Sequence, residues 1–173
     1  MNKLISTAFF VGAAALGGPA FSQPAQTAEY QYVLPLSIAL DAAVEAVRVC
    51  AGNGYRVTAT VVDMDGIPQV AIRGDGATVH TRESSFQKAF AVVTLGPMFD
   101  FDTSGQFFEL TKTNPYAPRL ATVTNVMALP GAVAFKVKSV MVGALGVGGA
   151  PGGDKDEVCA RAGLAKIADR IPH

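Results

Sequence analysis

The stretch from Val57 to Ala91, VTATVVDMDGIPQVAIRGDGATVHTRESSFQKAFA, decides the fold of this chain. Arg56 to Val62 is rich in β-branched residues, which predicts a strand. Asp63 to Gly66 is predicted to be a turn, because Asp65-Gly66 is a strong hairpin signal, and Pro68 to Ile72 is predicted to be the returning strand. The stretch therefore indicates an antiparallel hairpin of two short strands.

A helix is predicted to follow this hairpin and to begin near Thr81. The Thr81 hydroxyl would cap the first turn, and Glu83 would complement the positive end of the helix dipole. The buried side of this helix is expected to contain Phe86, Ala89, Phe90 and Val93. Gly96-Pro97 is predicted to end the helix, since a proline cannot donate the next backbone hydrogen bond.

The remaining segments indicate an α+β protein. Apolar residues at helical spacing predict a first helix from Leu36 to about Gly52, and the pattern weakens from Met98 to Met127, with one short helical turn around Gly105 to Leu110. A second hairpin is predicted over residues 133–137 and 140–147, and a closing helix over residues 154–171. Because short hairpins force antiparallel neighbours, we expect an antiparallel sheet of about five strands with helices packed on it.

The N-terminus predicts export. Residues 1–22 are predicted to be a signal peptide. They contain a charged residue, Lys3, then an apolar run from Ala8 to Leu16, and then a cleavage signal of small residues, Ala20-Phe21-Ser22. A retained membrane anchor is the alternative, although the apolar run is shorter than the roughly 20 residues of a comfortable span. Residues 23–33 are predicted to be a flexible lead-in, and residues 34–173 a single domain. The mature protein is expected to be periplasmic or secreted, without a membrane span.

The charge balance argues against nucleic acid or an anionic membrane as the main partner. The chain has 14 basic and 14 acidic residues. Cleavage after Ser22 would remove one lysine and no acid, which leaves 13 basic against 14 acidic residues and a formal net charge of −1. Both of those partners require a basic footprint that such a chain does not have.

Cys50 and Cys159 are the two cysteines, and they are predicted to form a disulfide. An exported protein meets an oxidising compartment, Cys50 lies on the apolar side of the first helix, and the small residues beside Cys159 allow another helix to approach closely. Two buried reduced thiols are the alternative. Neither cysteine has a CxxC partner, so a zinc site or redox catalysis is not expected.

No complete catalytic motif is present, so no catalytic residue is assigned. Asp63-Met64-Asp65-Gly66 resembles the start of a calcium loop, but Gly74 occupies the position where a bidentate Glu is required. The glycine-rich run from Gly146 to Gly153 lacks a phosphate-binding Lys-Ser/Thr ending and is followed by acids, so it is interpreted as a tight turn with close helix packing.

His80 is the candidate metal ligand, because the other histidine is the terminal His173. At a helix entrance the dipole disfavours imidazolium, which leaves a lone pair for a metal. Three cations that could pair with carboxylates lie nearby in sequence: Arg73, Arg82 and Lys88. Apolar residues that could line a flat cavity lie there as well: Phe86, Phe90, Met98, Phe99 and Phe101. Haem requires this combination. An exposed histidine beside an ordinary core is the alternative interpretation.

Two sets of motifs resemble the GlcG/HbpS-like haem-binding family, also described as a haem-degrading domain. The first set is Val61-Val62-Asp63 with Gly66, then Arg73, Asp75-Gly76-Ala77 and Lys88-Ala89. The second is Val142-Gly143-Ala144-Leu145-Gly146-Val147-Gly148-Gly149 followed by Asp156-Glu157 and Cys159-Ala160-Ala162-Gly163-Leu164. The resemblance spans nearly all of residues 34–173.

The resemblance implies a profilin-like α/β/α sandwich that assembles into symmetric homo-oligomers, often octamers, and that binds haem in some members. It makes an exported haem-binding protein that carries, buffers or senses haem the leading hypothesis, with His80 as the candidate axial ligand. One alternative is an enzyme or enzyme accessory acting on another small organic or tetrapyrrole ligand, with Asp63, Arg73 and Lys88 as its polar groups. The other is an oligomeric scaffold or partner-binding module.

Overall fold

The protein is described by a computed structural model that covers residues 32–172. The predicted signal peptide, most of the predicted lead-in and His173 lie outside these residues. The elements in chain order are helix α1 (Leu36–Gly52), strands β1 (Thr58–Val62) and β2 (Pro68–Arg73), helices α2 (His80–Phe99), α3 (Ser104–Thr113) and α4 (Ala117–Leu120), strands β3 (Ala132–Val137) and β4 (Val140–Gly148), and helix α5 (Gly153–Ile167). A short 3-10 turn, Ala168–Arg170, follows α5.

The predicted α+β class is confirmed, with a sheet of four strands in the described residues rather than about five. All neighbours are antiparallel, and the order across the sheet is β2-β1-β4-β3. The weakly patterned segment after α2 contains helices α3 and α4, and α3 includes the helical turn predicted around Gly105 to Leu110. Thr103 and Gln106 form a capping box that starts α3, since each side chain accepts a hydrogen bond from the other residue's backbone N–H.

Helices cover both faces of the sheet and create two apolar clusters. On one face α1 and α5 pack together over the sheet, with Ala42, Ala46 and Leu145 fully buried between them. On the other face α2 and α3 cover a cluster that includes Val92 and Phe107. The arrangement is the α/β/α sandwich that the family resemblance implies.

The predicted disulfide between Cys50 and Cys159 is confirmed. It joins the last turn of α1 to α5, and both cysteines are fully buried. The two helices can approach closely because Gly163 of α5 lies against the Ala42 carbonyl, where a side chain would collide. The bridge therefore ties together the two ends of the described chain across one face of the sheet.

Glycines of β4 allow α2 to lie directly on the sheet. A side chain at Gly146 would meet the Ala89 backbone nitrogen at 2.9 Å, and one at Gly148 would meet the Ser85 nitrogen at the same distance. These separations are too short for a Cβ atom. The close helix-on-sheet packing predicted for the glycine-rich run is therefore observed, and it fixes the height of α2 above the strands.

The predicted ends of α2 were wrong in detail. Thr81 does not cap the helix: its hydroxyl donates to the Thr78 carbonyl and is hydrogen-bonded to Thr58 inside the structure. Pro97 does not end the helix either, because it lies in the last turn, which continues to Phe99. The helix ends at Asp100, whose left-handed conformation (φ 55°) turns the chain and lets Phe101 N–H donate to the Gly96 carbonyl.

Candidate functional site

The candidate site is an open groove between the edge strand β2 and the N-terminal half of α2. Its volume is about 340 Å³, and its lining is mainly apolar, with Arg82 and Glu83 as the charged members. The lining residues are Thr60, Pro68, Ala71, Arg82, Glu83 and Phe86. A flat, mainly apolar surface with few charges suits a planar organic ligand better than a small polar one.

The strand register places Arg73 on the same face of the sheet as the groove. Thr60 pairs with Ala71, and Thr58 pairs with Arg73. Side chains two residues apart on a strand point to the same face, so Arg73 follows Ala71 along β2. The groove therefore ends in an exposed guanidinium on the side where α2 begins.

Two phenylalanines of α2 extend the apolar wall. Phe86 lines the groove, and its ring lies 5.6 Å from that of Phe90, tilted by 53°. Phe90 in turn covers Gly66 at the turn of the first hairpin, where a side chain would collide with the ring. Four of the predicted binding residues, Arg73, Arg82, Phe86 and Phe90, thus lie along one side of the molecule.

His80 is exposed at the first residue of α2, beside the groove but not in its lining. Its Nδ1 atom is hydrogen-bonded to the Thr78 hydroxyl at 3.1 Å. At 3.6 residues per turn, His80 lies about 120° around the helix from Phe86. The imidazole is therefore accessible to a ligand, but it does not share the helix face that forms the wall.

Lys88 lies on the opposite side of α2 and is buried. Its Nζ donates to the Asp156 carboxylate at 2.7 Å and to the Val147 carbonyl at 3.1 Å. Asp156 also accepts from the Ala150 N–H. Burial raises the pKa of Asp156 above its ordinary value, while the Lys88 ammonium acts in the other direction. Lys88 thus binds α2 to the start of α5 and does not face the groove.

Met98 and Phe99 are also separated from the groove. They lie in the last turn of α2, about 27 Å along the axis from His80. Met98 is 73% exposed and Phe99 is partly buried against the cluster on the α2 face of the sheet. The structure therefore separates Met98 and Phe99 from the predicted binding residues that lie in or beside the groove.

A row of buried hydroxyls beneath α2 was not predicted. The Thr58 hydroxyl is hydrogen-bonded to that of Thr81 at 2.7 Å, and the Thr60 hydroxyl to that of Ser85 at 2.8 Å. These bonds pin the N-terminal half of α2 over β1. The signal in the sequence was the alternation of Thr58 and Thr60 on one face of the strand, which matches polar residues at a spacing of four on the helix.

A second cavity of about 370 Å³ lies at the other end of β2, between the first hairpin turn and residues 32–34. The Asp63 carboxylate in this turn accepts hydrogen bonds from the Asp65 and Ile67 N–H groups, as a turn-stabilising residue does. Within residues 32–172 there is no group of three His, Cys, Asp or Glu side chains that could hold a metal ion.

The sequence of residues 34–165 matches the family model described as haem-degrading protein, HbpS-like. The chain belongs to the HbpS-like family. A solved structure of HbpS is 32% identical, covers 88% of this chain and 97% of its own, and superposes with a TM-score of 0.69. A double mutant of HbpS from Streptomyces reticuli is 30% identical, with coverages of 90% and 96% and a TM-score of 0.69.

More distant structures share the fold of this HbpS-like chain. PduOC in complex with haem is 20% identical, covers 79% of this chain and 96% of its own, and has a TM-score of 0.65. At this identity the similarity establishes the fold alone. No match was found among curated protein sequences.

Proposed function

We propose that this HbpS-like protein is an exported, homo-oligomeric haem-binding protein that carries, buffers or senses haem. The observation that carries the proposal is the family match over residues 34–165. It is supported by a relative of the same fold, PduOC, whose solved structure is a complex with haem.

The groove along β2 and α2 is the proposed haem-binding surface. Phe86 and Phe90 offer an apolar wall one helical turn long, about 6 Å along the axis, with ring centroids 5.6 Å apart. Arg73 and Arg82 would pair with the propionates, which are carboxylates on an otherwise apolar ring. A bound haem would supply an iron centre that can take an imidazole ligand.

His80 is the proposed axial ligand. It is the histidine of the described chain, it is exposed, and its Nδ1 is already oriented by the Thr78 hydroxyl. In metal-binding histidines, a hydrogen bond at the ring nitrogen that does not bind the metal commonly fixes the orientation of the ring. Lys88, in contrast, has its ammonium occupied by Asp156 and Val147, so it is a structural residue in this proposal.

Assembly with a second copy would complete the site. Ligand pockets usually bury about 70–90% of a ligand's surface, which an open groove on one chain does not achieve. Apolar residues beside the groove remain uncovered in the single chain, with Val79 81% and Ile67 60% exposed. Covering this surface would bury both these residues and the free face of the ligand.

Export is proposed from the N-terminal sequence and is supported by the disulfide. Residues 1–22 have the composition of a signal peptide, and the Cys50–Cys159 bridge suits an oxidising compartment. No helix within residues 32–172 is long and apolar enough to cross a membrane.

The proposal is tested by titrating the purified protein with haemin while recording the Soret band and the mass of the assembly in solution. We expect saturable binding with a defined Soret shift, and His80→Ala should change that band or weaken binding. Arg119→Gln, which alters an exposed residue of α4, serves as the control. Weak, non-saturating adsorption by the wild type would contradict the proposal, and an unchanged spectrum and affinity in the histidine variant would remove His80 as the ligand.

A scaffold role is the second candidate, and an apolar row on α1 favours it. Leu36, Leu40 and Val44 are 60%, 43% and 48% exposed and recur every four residues along one side of the helix. If this role is correct, Leu40→Glu should change the mass of the assembly, and haemin should not bind to either protein.

A further inference from the structure

We infer that Arg56 and Arg73 form a binding site for two carboxylates of one ligand, at the turn that precedes α2. The inference rests on the proposed function for the identity of that ligand, because haem has two propionates. The sequence predicted Arg73 as a carboxylate-binding residue together with Arg82 and Lys88, and the structure places Arg56, which was not predicted, against the same turn as Arg73. Arg56 and Arg73 are called the arginine pair below.

Both guanidinium groups lie against the same tight turn, residues 74–77, which follows Arg73: Arg73 contacts Ala77, and Arg56 contacts Gly76 from the segment before β1. The turn is closed by a hydrogen bond from the Ala77 N–H to the Gly74 carbonyl at 3.1 Å, and it is attached to β1 by a bond from the Gly74 N–H to the Val57 carbonyl at 2.9 Å. Arg73 Nε donates to the Ala77 carbonyl at 2.7 Å. This bond fixes the direction of the Arg73 side chain and leaves its terminal nitrogens available.

Arg56 is held against the next residue of the same turn. Its Nη1 and Nε atoms lie 3.2 Å and 3.4 Å from the point where Gly76 would place a Cβ atom. Gly76 has a positive φ of 68°, a conformation that favours glycine, so the residue both forms the turn and leaves room for the guanidinium. The Arg56 carbonyl and the Thr81 methyl group both lie against Gly149, which places Arg56 beside the first turn of α2.

The arginine pair has no carboxylate partner within residues 32–172. Most other arginines of the described chain are paired, namely Arg48 with Glu45, Arg82 with Glu83, Arg161 with Glu157 and Arg170 with Asp41. Two cations held against one turn without counter-ions repel each other, and an anion that binds to both relieves the repulsion. Asp75 lies in the same turn, but it forms no ion pair with either arginine.

The chemistry of the pair selects a ligand with carboxylates at the end of an apolar body. A guanidinium presents a fork of donors that matches a carboxylate, and two guanidinium groups can bind two carboxylates. Arg73 continues the groove face of β2, so a ligand whose apolar part lies against Phe86 would extend its acidic end toward the arginine pair. A porphyrin with two neighbouring propionates has this shape.

The test compares haemin with haemin dimethyl ester, in which both carboxylates are blocked, on the wild type and on Arg56→Gln, Arg73→Gln and the double variant. We expect the wild type to bind haemin about tenfold or more tightly than the ester, a difference of about 1.4 kcal/mol or more, because esterification removes the charge-assisted hydrogen bonds to both carboxylates. Each single variant should lose a large part of this preference, and the double variant should lose most of it, because the remaining arginine beside the groove, Arg82, is paired with Glu83.

Two further variants sharpen the test. Arg119→Gln removes an exposed arginine elsewhere and should leave the preference for haemin unchanged. Asp75→Asn removes the acid of the turn and should strengthen haemin binding without affecting the ester. A loss of affinity for haemin and ester alike in the arginine variants would overturn the inference, because it would reflect damage to the groove rather than loss of carboxylate recognition.

A separate ligand distinguishes failure of the inference from failure of the proposed function. Citrate offers several carboxylates without a porphyrin, and its binding is followed by the protection of Arg56 and Arg73 from phenylglyoxal. Tight haemin binding with an unchanged preference in the double variant overturns the arginine pair and leaves the haem proposal intact. If the wild type binds neither haemin nor its ester, citrate protection supports the arginine pair alone, and no protection overturns both.

Discussion

Replacing Lys88 with Met is expected to destabilise the protein by an amount that depends strongly on pH. The change removes the ammonium that neutralises Asp156 while keeping a side chain of similar length. Both partners are buried, with side-chain exposures of 4% and 3%, and their atoms are 2.7 Å apart. Breaking such a pair from one side leaves a charge without compensation, which typically costs about 3–5 kcal/mol.

The magnitude has an upper limit set by protonation of the acid. In the variant, Asp156 can avoid the buried charge by taking up a proton, at a cost of about 1.36 kcal/mol for each pH unit above the ordinary pKa of 3.8. The limit is therefore about 4 kcal/mol at pH 7 and about 1.6 kcal/mol at pH 5. The Ala150 N–H continues to donate to the carboxyl group and reduces the loss somewhat.

The sign of the pH dependence follows from the direction of the pKa shift. Burial already raises the pKa of Asp156 in the folded protein, and loss of Lys88 removes a contribution that lowers it. An acid whose pKa is raised on folding contributes stability that is fully present below its unfolded pKa and is lost as pH rises through the folded pKa. The Lys88→Met variant should therefore lose more stability, relative to the wild type, at pH 7 than at pH 5.

The assay is urea unfolding followed by far-ultraviolet circular dichroism at pH 5 and pH 7, without reductant. Protein concentration is held fixed, because assembly would raise the apparent stability. The double variant Lys88→Met with Asp156→Asn should recover about 2 kcal/mol at pH 7 relative to the single lysine variant, since it has no buried charge. Equal losses at the two pH values, or additive effects of the two substitutions, would refute this reasoning.

Three more predictions concern the disulfide, the strand glycines and the exposed ion pair. Replacing both cysteines by Ala should lower the free energy of unfolding by about 4–5 kcal/mol, because the bridge closes a long loop; identical urea midpoints for the two proteins would contradict this. Gly146→Ala should cost about 1–3 kcal/mol or more by pushing α2 from the sheet, whereas Gly52→Ala, which meets no atom within 4 Å, should be nearly neutral in thermal melts. The Arg48 guanidinium lowers the pKa of Glu45, so nuclear magnetic resonance titration should show that pKa rising in Arg48→Gln.

Local sequence patterns correctly predicted the secondary-structure elements that are specified by a short stretch of the chain. The turn at Asp65-Gly66 is such a case, since Gly66 adopts a positive φ of 76° and the two strands pair around it as expected. Helix α1 also begins and ends where its apolar spacing predicted. The end of α2 was missed because it depends on a left-handed Asp100, and Asp adopts that conformation only occasionally, so the residue type alone does not predict it.

The candidate site was predicted less well because its residues were chosen by closeness in sequence. Arg82, Phe86 and Phe90 share one side of α2, but Lys88 lies on the side that contains Thr81, Ser85 and Val92, all of which are buried. The helical spacing of Lys88 with these residues could therefore have predicted that it is buried. Its partner Asp156 was not predictable from local pattern, because it is 68 residues away and is brought close only by the packing of α5 on the sheet.

The two edges of the sheet differ in a way that favours β2 as the side for the proposed assembly. The outer edge of β3 is occupied, since the Ala134 N–H donates to the Asp102 carbonyl at 2.8 Å and Thr103 forms a bridge with Val133. Along β2, within residues 32–172, no strand pairs with the outer edge. An uncovered strand edge attracts another chain unless it is blocked. Pro68 blocks pairing at the start of β2, because it has no N–H group to donate. A second copy would therefore meet this side through the side chains of the groove more readily than through backbone pairing at Pro68, so ligand binding and assembly should depend on the same surface.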